Sequence, residues 1–265
     1  MSLRPIKRLG QHFLVDPNTI RRIITQLEAP ADARVVEIGP GPGALTDYLV
    51  KQYADLVTIE VDERAVELLH ERHPGLDVRH MDILDVDYSE IGIGAAGQTV
   101  GARSLWVIGN LPYNITSQIL FGLLEAPEIV RAVLTMQKEV AERLVAQPRT
   151  KAYGILSVLT QLFARPKICF HISPNVFRPK PDVWSSTVRL DFPSEISLQH
   201  AVDRMHLRAV VRTAFNQRRK TLRNSLRQLA SEAGGEVPEE WAGKRAEELA
   251  PHEFVSLTRF IYKIR

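Results

Sequence analysis

An asparagine and a tyrosine follow an apolar run of the chain and could together hold a flat ring that carries an amino group. Asn110, Leu111, Pro112 and Tyr113 come directly after residues 105–109, a run that predicts a short buried strand. Open parallel sheets bind ligands beyond the carboxyl ends of their strands, where these four residues would lie. The same four residues are also typical of a stiff turn whose tyrosine packs locally. Both interpretations stay open at this point.

A glycine turn after an earlier predicted strand indicates a second ligand contact. Gly39 and Gly41 let a ligand approach the backbone closely, and Glu60 ends the next predicted strand, where a carboxylate can accept hydrogen bonds from ribose hydroxyls. Pro40 and Pro42 lack the N–H groups that a phosphate would need. The pattern therefore favours S-adenosylmethionine over a dinucleotide. A tight turn that binds no ligand is the alternative.

Other side chains extend the predicted pocket. Asp82 follows a third predicted strand and could accept a hydrogen bond from an adenine amino group, although it could equally cap a turn. Phe177 could close the second face of a base and form an aromatic sandwich with Tyr113; a hydrophobic loop anchor is the alternative. Arg178 and Lys180 would then lie near a nucleic-acid backbone.

The chemistry that these residues could perform is methyl transfer to an exocyclic amine. The side-chain oxygen of Asn110 and the backbone carbonyl of Leu111 could accept both N–H groups of the amine and aim its lone pair at a sulfonium methyl. Catalysis would then consist of positioning and hydrogen bonding, without a covalent intermediate. Tyr113 would stack on the base.

Composition narrows the class of protein. The chain has 265 residues, enough for one large domain and a small one, and a net charge of +3. Its one cysteine, Cys169, allows no intramolecular disulfide and no thiol cluster for zinc, so we expect a cytoplasmic protein without a metal. No stretch approaches the roughly 18 consecutive apolar residues of a membrane span, so we expect no membrane contact.

The order of predicted elements indicates an α/β protein. Strands alternate with helices up to about residue 193, which predicts a Rossmann-like parallel sheet covered on both faces. Beyond residue 197 only helical periodicity remains, so we expect domains at 1–193 and 194–265. Residues 92–101 are rich in glycine and alanine and predict a surface loop.

A basic segment in the predicted helical domain indicates a polyanionic partner. Residues 204–227 contain eight basic residues and no acidic one. A continuous helix would align many of them in one stripe, whereas residues 215–220 could instead form a turn between two helices. A solvated basic face is the alternative to RNA contact. The candidate phosphate-binding residues are Arg208, Arg212, Arg218, Arg219, Lys220 and Arg223.

Seven motifs occur in an order that resembles a known family. They are Gln-His-Phe-Leu at 11–14, Glu-Ile-Gly-Pro-Gly at 37–41, Asn-Leu-Pro-Tyr-Asn at 110–114, Gln-Lys-Glu-Val at 137–140, Tyr-Gly at 153–154, Phe-Arg-Pro-Lys-Pro at 177–181 and Ala-Phe-Asn-Gln-Arg-Arg-Lys at 214–220. Together they resemble the ribosomal RNA adenine N6-dimethyltransferases, in particular the branch that acts on small-subunit RNA. The resemblance covers nearly the whole chain.

The resemblance implies an S-adenosylmethionine-dependent enzyme with a small helical RNA-binding domain. It implies dimethylation of two adjacent adenosines near the 3′ end of 16S ribosomal RNA, in a pre-30S-type particle. The sequence itself demands no more than a monomer. The cofactor contacts that it implies are His12, Leu14, Gly39, Gly41, Glu60, Asp82 and Asn110. Position 12 is asparagine in many members of the family. Two alternatives stay open, a methyltransferase of large-subunit RNA and an RNA-binding assembly factor that does not depend on catalysis.

Overall fold

Nine strands and twelve α-helices are found in the described residues of the computed structural model, which are 3–91, 104–193 and 202–264. The predicted loop at 92–101 lies outside them. The strands are β1 (Phe13–Leu14), β2 (Arg34–Ile38), β3 (Asp55–Glu60), β4 (Asp77–His80), β5 (Leu105–Asn110), β6 (Ile129–Gln137), β7 (Arg165–Ile172), β8 (Phe177–Arg178) and β9 (Ser185–Asp191). The helices are α1 (Pro17–Ile24), α2 (Thr46–Leu49), α3 (Glu63–Arg72), α4 (Tyr88–Ile91), α5 (Thr116–Glu125), α6 (Lys138–Leu144), α7 (Ile155–Phe163), α8 (Arg204–Asn216), α9 (Leu222–Ser225), α10 (Arg227–Glu232), α11 (Glu239–Ala242) and α12 (Pro251–Tyr262).

The main sheet has seven strands in the order β4-β3-β2-β5-β6-β9-β7. The five strands from β4 to β6 are parallel, and β9 runs antiparallel to β6. The chain winds outward from β2 to β4 and then returns to place β5 beside β2. This reversal creates a crevice at the carboxyl ends of β2 and β5, the usual ligand site of such sheets. The predicted Rossmann-like α/β fold is confirmed.

Helix α1 shows how local sequence builds the first layer on this sheet. Asp16 caps the helix by accepting a hydrogen bond from the Thr19 backbone N–H at 2.7 Å, and Pro17 occupies the first turn. Ile20, Ile23 and Ile24 recur at helical spacing and are buried in the core. Burial of each isoleucine contributes roughly 1.5–3 kcal/mol.

The chain divides into two compact units. One comprises Met1–Ala141 and Pro166–Ser194, and the other Glu142–Arg165 and Glu195–Arg265. The sequence predicts a single boundary at 193/194, so the placement of residues 142–165 corrects that prediction. The cause is α7 in this segment, whose apolar side chains pack against α8 and α12 instead of the sheet.

The second unit is helical, as its periodicity predicts. Tyr153 donates its hydroxyl hydrogen to the Leu249 carbonyl at 2.8 Å, and its ring contacts Phe215, which stacks on Phe254. The basic segment forms α8, a turn and then α9, so the continuous stripe does not form and the alternative with a turn is correct. Within the described residues, no helix has the length and apolar character needed to cross a bilayer.

Candidate active site

A cavity of about 250 Å³ opens at the carboxyl edge of the sheet, where the chain reverses between β2 and β5. The register pairs Ile38 with both Ile59 and Gly109, so the residues that follow these strand ends converge. Seven of the predicted residues line the cavity, namely His12, Gly39, Gly41, Glu60, Asp82, Asn110 and Leu111.

The glycine turn is fastened to Glu60 through its backbone. Gly41 donates its N–H to one carboxylate oxygen of Glu60 at 2.9 Å, while the other oxygen accepts the N–H groups of Val61 and Asp62. Gly39 and Gly41 have φ values of 63° and 52°, which strain any residue that has a side chain. Burial raises the pKa of Glu60, and the three N–H donors oppose that shift. The Gly41 N–H thus already serves a carboxylate, which disfavours a phosphate in the same place.

Asn110 presents an unpaired acceptor at the end of β5. Its side-chain Nδ2 donates to the backbone carbonyl of His12 at 2.7 Å, which fixes the orientation of the amide. The amide oxygen Oδ1 is buried and has no hydrogen-bond partner among the described residues. An orphaned buried acceptor costs roughly 1–3 kcal/mol. It is therefore the group of this cavity that most requires a donor from a ligand.

An N-terminal strap, residues 8–14, closes one side of the cavity, and only the family resemblance indicated this position from the sequence. Gln11 donates its Nε2 hydrogen to Asp62 at 3.1 Å. His12 donates from Nδ1 to the carbonyl of Pro179 at 2.8 Å, because a carbonyl can only accept. These bonds join residues far apart in the chain, so no local spacing could have revealed them. The strap places the carbonyl of His12 where it orients Asn110.

The predicted aromatic sandwich is not present. Phe177 has 0% exposure and pairs with Leu14 between β8 and β1, inside the hydrophobic core. The ring is thus the hydrophobic anchor that we weighed as the alternative, and its prediction as an open wall of the pocket is wrong. Tyr113 instead stacks on His12 at 5.0 Å, and its hydroxyl lies 2.6 Å from Ser185 Oγ.

Two other predicted cofactor contacts differ in detail. The side chain of Leu14 is buried in the core, and among the described residues Phe13 lines the cavity in its place, which corrects that prediction for the side chain. Asp82 lies at the rim and also accepts the N–H of Leu84 at 3.0 Å as the cap of a short 3-10 turn. The position of Asp82 is thus compatible both with a hydrogen bond to an adenine amino group and with the capping of a turn.

Glu37 is a functional candidate that the sequence analysis did not single out. It lies within β2, is buried, and accepts the hydroxyl hydrogen of Thr46 at 2.7 Å. Burial raises the pKa of Glu37 to about 8, and the nearby charge of Glu60 adds to that shift. Glu37 is thus a neutral carboxylic acid at neutral pH, bonded to Thr46 at the start of α2. Its position in an apolar strand before glycines was the available signal.

The predicted RNA-binding residues fall into two groups. Arg218 is used internally, since Nε pairs with Glu247 at 2.5 Å and its terminal nitrogens donate to the carbonyls of Thr150 and Lys151. These bonds give Arg218 a structural contribution, and its phosphate contact stays a prediction. Arg223 forms an exposed pair with Glu239, which contributes little and leaves the arginine available. Arg212, Arg219, Lys220, Arg178 and Lys180 are exposed, and Arg208 is partly buried.

The sheet order, the glycine turn and the Glu60 carboxylate that accepts its N–H define a Rossmann-like α/β protein. A family model described as "Ribosomal RNA adenine dimethylase" matches residues 4–263. The chain is similar to proteins called "Ribosomal RNA small subunit methyltransferase A". The one from Salinibacter ruber is 48% identical over 267 residues, covering 98% of this chain and 86% of that protein. The one from Aromatoleum aromaticum is 42% identical over 261 residues, covering 97% and 94%.

Solved structures are similar over most of the chain. A dimethyladenosine transferase from Plasmodium falciparum gives a TM-score of 0.75 at 23% identity, covering 93% of this chain and 96% of that one, which shows the fold alone. The 23S rRNA methyltransferase ErmE gives 0.64 at 26% identity, covering 94% and 99%. The chain belongs to the ribosomal RNA adenine dimethylase family, which confirms the resemblance and makes it a methyltransferase of ribosomal RNA adenines.

Proposed function

We propose that this enzyme uses S-adenosylmethionine to dimethylate N6 of two adjacent adenosines near the 3′ end of 16S ribosomal RNA, late in small-subunit assembly. The observation that carries the proposal is the unpaired Oδ1 of Asn110, an acceptor that lacks only a donor such as an adenine amine. The names of the relatives support the small-subunit branch.

The cavity suits a nucleoside cofactor without phosphates. Glu60 offers carboxylate oxygens for ribose hydroxyls, and its negative charge disfavours a phosphate beside the glycine turn. Gly39 and Gly41 add no side chains to the turn, and Pro40 and Pro42 supply no amide donors. When bound, S-adenosylmethionine supplies an electrophilic methyl group on a sulfonium.

The chain's own contribution to the reaction is positioning and polarisation. Asn110 Oδ1 accepts one N–H of the adenine amine, and the carbonyl of Leu111 accepts the other. These two bonds increase electron density on a nitrogen whose lone pair is otherwise delocalised into the ring. Such fixed acceptors need no reorganisation when charge develops, and this is the usual origin of large electrostatic rate effects. Tyr113 supports the base, held by Ser185 and His12.

Three further features belong to this proposal. In this proposal the substrate is a pre-30S-type particle, and Arg219 and Lys220, exposed in the basic turn between α8 and α9, supply phosphate contacts to its RNA. In this proposal the protein acts as a monomer. Its location is the cytoplasm, where ribosomes assemble and where a single cysteine is ordinary.

A second candidate function is methylation of large-subunit RNA, which the likeness to ErmE favours. Purified protein, S-adenosylmethionine labelled in the methyl group, and immature particles of each subunit from cells that lack the enzyme separate the two. Mass spectrometry of the digested RNA should find dimethyladenosine in small-subunit RNA only. Label in large-subunit RNA would establish the second candidate, and RNA binding without label would favour a non-catalytic assembly factor.

A further inference from the structure

Trp184 is a large aromatic side chain that remains on the surface beside the proposed active site. It is 53% exposed, and the preceding Val183 is 42% exposed. Its backbone carbonyl accepts the N–H of Lys138 at 2.9 Å, so the main chain is fixed while the indole is open to solvent. Burial of an indole ring is strongly favourable, so an exposed indole on a fixed backbone needs an explanation.

The position of Trp184 is tied to Tyr113 through one residue. The next residue, Ser185, is buried and lies 2.6 Å from the Tyr113 hydroxyl. The covalent bonds from Trp184 to the Ser185 hydroxyl, together with the hydrogen bond from there to Tyr113, place the Trp184 backbone within about 9 Å of the Tyr113 hydroxyl. An aromatic ring at this distance can reach the nucleotide beside one that is bound against Tyr113.

The charges around Trp184 suit a nucleic-acid strand. Arg178 and Lys180 are exposed in the same segment, together with one acid, Asp182. The Arg178 guanidinium is held by the carbonyls of Asn175 and Phe177 and still keeps free N–H groups. Cations beside an exposed aromatic ring are typical of surfaces that bind unpaired nucleotides.

Methylation at N6 creates a need for such a surface. An enzyme that acts on an exocyclic amine must take the target base out of its stack, and the neighbouring base then loses a stacking partner. We propose that Trp184 is the stacking platform for the RNA base next to the adenine held at Asn110. The proposal rests on the proposed function for the identity of that adenine. Since two adjacent adenosines are methylated in that function, the second would stack on Trp184 while the first reacts.

The test uses a short single-stranded RNA in which 2-aminopurine replaces the second of the two adjacent adenosines, bound to the full-length protein without methyl donor. Stacking on an indole quenches 2-aminopurine fluorescence. We expect quenching with the unaltered protein, its loss in Trp184→Ala with about tenfold weaker RNA binding, and recovery of most binding in Trp184→Phe. Phe260→Ala is the matched control, since Phe260 is 52% exposed and lies in the helical unit.

Equal quenching and equal RNA affinity in the unaltered protein and Trp184→Ala would overturn the proposal. Methylation of the same RNA segment within the small-subunit particle is measured in parallel. Failure of the unaltered protein to methylate the particle would count against the proposed function alone, because quenching and affinity are measured without methyl donor. Normal methylation of the particle with an unquenched fluorophore would overturn only the inference about Trp184.

Discussion

At the scale of single residues, the orientation of one amide determines what the cavity can do. Asn110 gives its side-chain donor group to the carbonyl of His12, so its buried oxygen is left as an acceptor without a partner in the part of the chain that the structure describes. The reverse orientation would offer an N–H to the ligand and would suit a carbonyl, not an amine. Glu60 likewise combines two functions. Its carboxylate accepts backbone N–H groups that hold the glycine turn, and its oxygens can accept further hydrogen bonds from a ligand.

Replacement of Glu60 by glutamine should weaken cofactor binding by about 10–100-fold, because a neutral amide accepts fewer and weaker hydrogen bonds than a carboxylate. Calorimetric titration with S-adenosylmethionine measures the effect. Glu63→Gln is the matched control, since Glu63 is exposed at the start of α3 and should bind normally. An unchanged dissociation constant in Glu60→Gln would remove this carboxylate from the cofactor site.

At the scale of elements, three segments that are distant in sequence must meet to form the site. The strap contributes His12, the turn after β2 contributes Gly41, and the end of β5 contributes Asn110. Parallel pairing of β2 with both β3 and β5 brings the last two together. Glu37 lies under this junction as a buried acid, and its protonation links the stability of β2 to pH.

Glu37→Gln should flatten the dependence of stability on pH. The folded protein keeps Glu37 protonated up to about pH 8, whereas the unfolded chain releases that proton near the ordinary value of 4.5. The folded state therefore binds more protons between these values, and stability falls as pH rises through that window. Thermal unfolding followed from pH 5 to pH 9 should show a steeper fall in Tm for the unaltered protein than for the variant.

Glu71→Gln, an exposed change in α3, provides the control for this pH series and should match the unaltered protein. Parallel curves for the unaltered protein and Glu37→Gln would show that Glu37 does not titrate in this range. The comparison uses only the slope, because the substitution can also shift stability by a constant amount.

At the scale of the whole molecule, the two compact units contain different functional parts of the protein. The first contains the sheet and the cavity, and the second contains the helices with the basic turn. Within that turn the residues differ, since Arg218 is bound to Glu247 while Arg219 and Lys220 are exposed. We therefore expect substitutions of neighbouring basic residues to have distinct effects.

Arg219→Ala combined with Lys220→Ala should weaken RNA binding and lower the magnitude of the slope of log affinity against log salt by roughly 1.4–1.8, with unchanged thermal stability. Arg218→Ala should instead lower stability by about 1–2 kcal/mol, because it leaves Glu247 and two backbone carbonyls without their donor. Fluorescence anisotropy over a salt series and thermal unfolding measure both. A normal salt slope in the double variant would place the RNA contact elsewhere.

The sequence predicted the sheet well because strand signals are local. The runs ending at Ile38, Glu60 and Asn110 are confirmed as strands, and their ends meet because parallel strands share one edge. Local sequence patterns do not show which residues far apart in the chain contact each other. The burial of Phe177 against β1 and the ion pair of Arg218 therefore escaped prediction.

The domain boundary illustrates the same limit. Helix α7 has the apolar periodicity that a helix on the sheet would also have, and only its contacts with α8 and α12 assign it to the helical unit. The hydrogen-bond partners of the strap could not be predicted for a related reason, although the resemblance implied His12 and Leu14 as cofactor contacts. Gln11 and His12 stand in a short segment without periodicity, and their partners lie far along the chain.

Single-turnover methyl transfer by Asn110→Ala tests the central claim most directly. The variant removes the acceptor for the adenine amine, so the rate of transfer to small-subunit particles should fall by about 100–1,000-fold. Its affinity for S-adenosylmethionine, measured by calorimetry, should change little, because Glu60 and the glycine turn remain. Transfer at the unaltered rate by Asn110→Ala would contradict the account, since the unpaired oxygen would then have no function in the reaction.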